Sequence, residues 1–181
     1  MKGYIEFDRF IDLEASLEQL FAQIQREPMS PTSWKWAIIA AHSALQASMC
    51  IALRGSVGFD TWKPRHVKIW LEAYEKSEDL PDPHLDYFME LFSKLFDGQS
   101  GIDGYAINWL NESRNNLVHF NTDHYAIERE YVICAITASV SAMIVASTRS
   151  KGIFFYNEQQ QLRFNTFCES ILARLKVLVN G

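Results

Sequence analysis

The chain has 181 residues, 48% of them apolar and 13% aromatic, enough for one domain with a real core and inconsistent with a disordered chain. Its net charge of −5 excludes a surface coated in positive charge for non-specific nucleic-acid binding, though not a small local basic site. The three cysteines, Cys50, Cys134 and Cys168, are scattered within apolar helical patterns. They read as buried thiols in a reducing compartment, not as a disulfide frame or a Cys-x-x-Cys metal site.

Phe10, Leu13, Leu17, Leu20, Phe21 and Ile24 recur at helical spacing between polar residues and predict a first amphipathic helix, ended by Pro28 and Pro31. Thr32 and Ser33 are placed to cap a second helix carrying Trp34, Ala37, Ile38, Ala41, Leu45 and Met49 and stopping at Gly55. Its small residues, among them Ala40, Ala44 and Ser48, permit close helix approach. After a connector to Pro64, Val67, Trp70, Leu71 and Tyr74 predict a short helix, followed by a loop through Pro83. Asp82 as cap and Pro83 at the first helical position open a further helix with Leu85, Phe88, Met89, Phe92, Leu95 and Phe96 inward. Residues 97–101 break the pattern. Asp103 is placed to cap a helix through Ala106, Trp109, Leu110, Ser113 and Leu117, with a turn at 121–124. From about Ala126 to Ser147 the sequence is apolar nearly all round, as a central helix is. The last helix carries Phe164, Phe167, Ile171, Leu175 and Leu178. Ile153–Tyr156 has a second reading as a short strand paired with Leu162–Phe164. These signals predict one all-α domain over residues 1–181, an up-and-down four-helix bundle with one or two additional short helices.

No charged, then apolar, leader pattern opens the chain, and the longest apolar run, Tyr131–Ala146, falls short of a membrane span. A cytoplasmic protein without a membrane partner is expected.

The densest chemistry lies in Trp109–Phe120, which holds Arg114, Asn115, Asn116 and His119 near a helix end. Arginine binds phosphate through a planar fork of donors, and histidine moves protons near neutral pH. On an ideal helix five residues turn about 140°, so Arg114 and His119 do not share a face. Both reach one phosphate only if the helix ends between them or two chains contribute. A structural alternative pairs Arg114 with Glu112 or another carboxylate and has His119 cap the carbonyls of its own helix.

Arg114-Asn-x-x-x-His119, followed by Phe120 at a helix end in an all-helical chain, resembles the HEPN superfamily (higher eukaryotes and prokaryotes nucleotide-binding). The likeness is sharp only from Arg114 to His119. It implies a metal-independent ribonuclease, of toxin–antitoxin or phage-defence type, with two antiparallel protomers joining their motifs across a twofold axis. It implies His119 as the base that takes the ribose 2′-hydroxyl proton, Arg114 as stabiliser of phosphorus-oxygen charge, and Asn115 as an orienting group. RNA, a second copy, and an antitoxin or nucleotidyltransferase-type protein are the implied partners. HEPN-like domains also include non-catalytic modules that bind RNA, a nucleotide or a protein, and the acidic net charge favours that alternative.

Other candidates are weaker. His42 reads as a hydrogen-bonded core or interface histidine. His84 and Asp86 are expected to be solvated at a helix start. His124 is placed to line the motif's cleft, with Asp123 as a cap. Lys63, Arg65, His66 and Lys68 form a small basic patch, ordinarily solvated. No His-x-x-x-His or Glu-x-x-His pair occurs, so neither metal nor cofactor is expected.

Overall fold

The structure, a computed structural model, describes residues 3–55, 58–97, 101–120 and 123–180. These form seven α-helices and a 3₁₀ turn, with no strand among the described residues: α1 Arg9–Ile24, α2 Pro31–Leu53, the turn Phe59–Thr61, α3 Pro64–Glu75, α4 Phe88–Phe96, α5 Gly104–Val118, α6 Arg129–Thr148 and α7 Glu158–Asn180.

α1 starts where Asp8 accepts hydrogen bonds from the backbone of Phe10 and Ile11 at 2.8 and 2.7 Å, and its apolar stripe is buried, Phe21 only partly. α2 is capped two residues earlier than expected. Ser30 is the cap, accepting from Ser33 N at 3.2 Å, and Pro31 opens the helix instead of closing the one before. Its chain end passes through Gly55 at φ +39°. Asp103 caps α5 by accepting from Ala106 N at 3.0 Å, as expected.

α2 is the hub, packed against α1, α4, α5 and α6. Ala37, Ala41, Ala44 and Ala52 are fully buried in these contacts, where small side chains let neighbouring backbones come close. Directions follow from bonds between helices. Arg163 pairs with Glu14 at 2.8 Å and Arg174 Nε donates to Ile24 O at 2.9 Å, so α7 runs parallel to α1. Arg129 at the start of α6 donates to Leu178 O near the end of α7, so those two are antiparallel. Lys151 N donates to Ala52 O at 2.9 Å, which brings the ends of α2 and α6 together.

One local expectation is corrected, and one alternative reading is set aside. Pro83 does not open a helix. Residues 83–87 are extended, because Leu85 forms an isolated antiparallel bridge with Trp62, through Lys63 N to His84 O at 3.0 Å and Asp86 N to Thr61 O at 2.9 Å. α4 therefore begins at Phe88. Ile153–Tyr156 forms no strand, and Leu162–Phe164 lies inside α7. The run anchors the α6–α7 connection instead: Phe154 is buried with its ring 5.8 Å from that of Phe164, and the Phe155 ring lies 6.0 Å from Phe10.

α2 and α6 are each long and apolar enough to cross a bilayer, which corrects the reading that the run in α6 falls short of a span. Within the fold, 72% and 56% of their most apolar windows are covered by the protein itself.

Candidate functional site

α5 presents Asn111, Arg114 and Asn115 toward α2 and α4, at the helical spacing that puts residues three and four apart on one side. α2 contributes His42 and Gln46, and α4 contributes Phe88. His42 Nε2 lies 3.1 Å from Asn111 Oδ1, and its ring stacks on Phe88 with centroids 4.0 Å apart. An amide oxygen only accepts, so Nε2 carries the proton and Nδ1 is the basic nitrogen. Burial, chiefly, holds the His42 pKa down to about 4; the Arg114 charge acts in the same direction and the Asn111 bond against it. His42 is thus a neutral, hydrogen-bonded core histidine, in line with its sequence reading.

Arg114 is half-buried. One of its terminal nitrogens donates to Asn115 Oδ1 at 2.9 Å, and its Nε is buried without a hydrogen-bond partner among the described residues. It makes no ion pair with any described carboxylate. Glu112, the partner suggested by the structural alternative, instead accepts from Asn108 Nδ2 at 2.9 Å.

Two adjoining hollows of about 360 and 310 Å³ share His42, Gln46 and Arg114. The larger is also lined by Arg9, Asp12 and Cys50, and the smaller reaches Asp86 and Asn115. Burial pushes the Asp12 carboxyl up and the Cys50 thiol up to about 11, the latter against the lowering effect of the Arg9 charge. Cys50 is therefore a neutral wall, not a nucleophile.

His119 is the residue that caps the C-terminal end of α5, with φ −102° and ψ 40°. Its backbone N donates to Asn115 O at 2.9 Å and its side chain is exposed, without a hydrogen bond or ion pair among the described residues. Neither hollow includes it. Within one chain the fold thus brings Arg114 and Asn115 together and leaves His119 on the outer surface. Asn116 Nδ2 donates to Tyr125 Oη at 3.4 Å, and that hydroxyl lies 3.4 Å from Ser113 Oγ.

The remaining candidates fall elsewhere. Asp86 is not solvated: its side chain is 5% exposed, bonded to Lys94 Nζ at 2.6 Å and to Tyr87 N at 2.9 Å. His84 stacks on His66 at 3.8 Å. In the basic patch Lys63 sits 3.9 Å over the Tyr87 ring and Lys68 faces Glu72 at 3.9 Å, while Arg65 is exposed. His124 and Asp123 are exposed, and Asp123 caps no helix, since α6 starts after Glu128 without a side-chain cap. The turn expected at 121–124 falls partly outside the described residues. Cys134 corrects the reading of three buried thiols: it is exposed on the outer side of α6. It borders an open, largely apolar groove of about 890 Å³ that also touches Ile133, Ala138, Leu178 and Val179 and includes none of the motif residues.

Sequence reasoning missed Arg9 and Asn111. Asn111 lies one turn before Arg114, a spacing that helical periodicity makes visible. Arg9 carries no such local signal, since it meets the cleft only through the packing of α1 on α2.

No family model matches the chain, and no curated protein or solved structure does.

Proposed function

We propose that the chain is a metal-independent endoribonuclease of HEPN type, with a composite site shared by two copies. Arg114, Asn115 and His119 are its working residues. The observation that carries this reading is the state of Arg114. Its guanidinium lines a cleft, forms no ion pair with a described carboxylate, and is held by Asn115 at 2.9 Å. Such a group is suited to an incoming phosphate.

His119 is exposed five residues further on, where a second copy packed about a twofold axis near the end of α5 brings it to the first copy's Arg114. His119 then takes the proton from a ribose 2′-hydroxyl, the 2′-oxygen attacks phosphorus as the bond from phosphorus to the 5′-oxygen breaks, the departing 5′-oxygen takes a proton from solvent, and Arg114 stabilises the charge gathering on the phosphoryl oxygens. The products are a 2′,3′-cyclic phosphate and a 5′-hydroxyl. A toxin or phage-defence role, with an antitoxin or nucleotidyltransferase-type partner, belongs to the same reading, as does a cytoplasmic location. The helical frame is proposed as the up-and-down bundle expected from sequence, supported by the reversal of direction from α6 into α7.

A second reading, a non-catalytic helical module for RNA, a nucleotide or a protein, is favoured by the separation of His119 from the cleft within one chain and by the net charge of −5. Single-stranded RNA incubated with the pure protein in EDTA separates the two. Cleavage leaving cyclic-phosphate ends, lost in His119→Ala, supports the ribonuclease. Intact RNA at high protein excess leaves the binding module.

A further inference from the structure

Two arginines far apart in sequence end in one hollow. Arg9 opens α1, Arg114 lies on α5, and both line the cleft of about 360 Å³ beside His42 and Gln46. Each has a buried guanidinium nitrogen, Nη1 of Arg9 and Nε of Arg114, without a hydrogen-bond partner among the described residues. A buried N–H with no acceptor bears the full desolvation penalty of its group, and a charged one bears more. Two such groups on separate helices in one cleft are poorly suited to the empty protein and well suited to a shared acceptor.

We infer that Arg9 and Arg114 together bind an oxyanion in this cleft, a phosphate group held between α1 and α5. Its oxygens accept from the two guanidinium groups, each of which carries a nitrogen left unmatched among the described residues. The charges are in proportion. Asp12 is the carboxylate lining the same hollow and offsets one guanidinium, so one positive charge remains for the anion. Asp86, in the adjoining hollow, is already neutralised by Lys94 at 2.6 Å. His42 is neutral and adds no competing charge. Phosphate fits better than a carboxylate because its oxygens diverge in three dimensions and can meet donors arriving from two helices. Arg9 is here a binding residue, and with Arg114 it fixes where the phosphate sits. The inference deepens the ribonuclease reading and rests on it only for the source of the phosphate.

The test is a titration of the full chain with inorganic phosphate at constant ionic strength, followed by the ¹⁵N-detected Nε–H signals of its arginines. Wild type is expected to show saturable shifts of the Arg9 and Arg114 signals with Kd at or below about 1 mM. Arg9→Gln should weaken binding at least about tenfold, as loss of a charge-assisted bond does, while Arg65→Gln, the same charge change on exposed α3, should leave it intact. The absence of saturable shifts at these two signals up to about 50 mM phosphate overturns the inference, and the wild-type arm needs no variant to fold. Equal affinity in Arg9→Gln also overturns it. Oligouridylate that displaces phosphate identifies a nucleic-acid backbone as the source. 5′-AMP that displaces it where oligouridylate does not identifies a free phosphomonoester. Either displacement upholds the oxyanion site. RNA that stays intact while phosphate binds removes the ribonuclease reading alone.

Discussion

His42 Nε2 and Asn111 Oδ1 are 3.1 Å apart, and this bond joins the middle of α2 to the inner side of α5 beneath the cleft. It fixes the imidazole as a neutral donor, with its ring against Phe88. The folded pKa of about 4 lies below the usual 6.5, so the unfolded chain binds the proton first as pH falls. Stability from this group is full above about pH 6.5 and is lost between there and about pH 4, a change on the order of 3 kcal/mol. Urea unfolding of wild type and His42→Gln at pH 7 and pH 4.5 measures it. A wild type no steeper in pH than the variant rules the assignment out.

Lys94 and Asp86 give a second test. The carboxylate is almost wholly covered, and Lys94 also donates to Asp60 O and Trp62 O at 3.1 and 3.4 Å, tying α4 to the segment before α3. Lys94→Met strands the Asp86 charge. The expected loss is about 2–4 kcal/mol, moderated because the lysine is 31% exposed. Adding Asp86→Asn should recover much of it. A double variant as unstable as Lys94→Met would show that packing, not charge, is at stake.

The motif residues should separate activity from stability. Arg114→Met removes a buried nitrogen with no acceptor while keeping the apolar stem, so the melting temperature should hold or rise, by about 1 kcal/mol equivalent. RNA cleavage should fall roughly 10²- to 10³-fold, and in His119→Ala roughly 10²- to 10⁴-fold. Cleavage should persist in EDTA and be absent on DNA, which lacks the 2′-hydroxyl. An Arg114→Met protein that unfolds ten degrees earlier would mark the arginine as structural.

Thiol reactivity checks the packing of α2, α6 and α7. Cys134 is exposed, whereas burial raises Cys50 to about 11 and Cys168 to about 12. Native protein should react with an aromatic disulfide reagent quickly at one thiol and at all three only in denaturant. Rapid reaction at Cys50 would mean that the cleft opens readily to solvent.

Assembly is measured directly. The composite site requires a twofold dimer whose contact includes the end of α5, so light scattering at tens of micromolar should give twice the monomer mass. Val118 and Phe120, 44% and 52% exposed beside His119, supply apolar surface for that contact. A Phe120→Glu protein should shift toward monomer and lose activity together. A wild type that remains monomeric at these concentrations defeats the composite site.

Much of the frame was legible because it rests on local pattern. The stripe from Phe10 to Ile24, the stop at Gly55 and the cap at Asp103 are each written within a single stretch of chain. The divergence of Arg114 from His119 followed from helix geometry alone. The start of α4 was not legible, since the Asp82–Pro83 signal is overridden by the bridge to Trp62 and the pair with Lys94, partners distant or unremarkable in sequence. The outward face of α6 was not legible either: with apolar residues nearly all round there is no stripe to say that Cys134 points out. Arg9 looked like any arginine near a helix start, and only tertiary packing gives it a place beside Arg114.

The position of α2 at the hub has a consequence for how the cleft breathes. His42 and Gln46 stand on a helix enclosed on several sides, so their amides should exchange with solvent only when the whole domain opens. The opposite wall includes the extended residues before α4, held by one bridge, the Asp86–Lys94 ion pair and the exposed ring contacts of His84 and Tyr87, and should fray on its own far more often. Entry and release would then be timed by that outer wall, while the floor carrying the histidine keeps its shape.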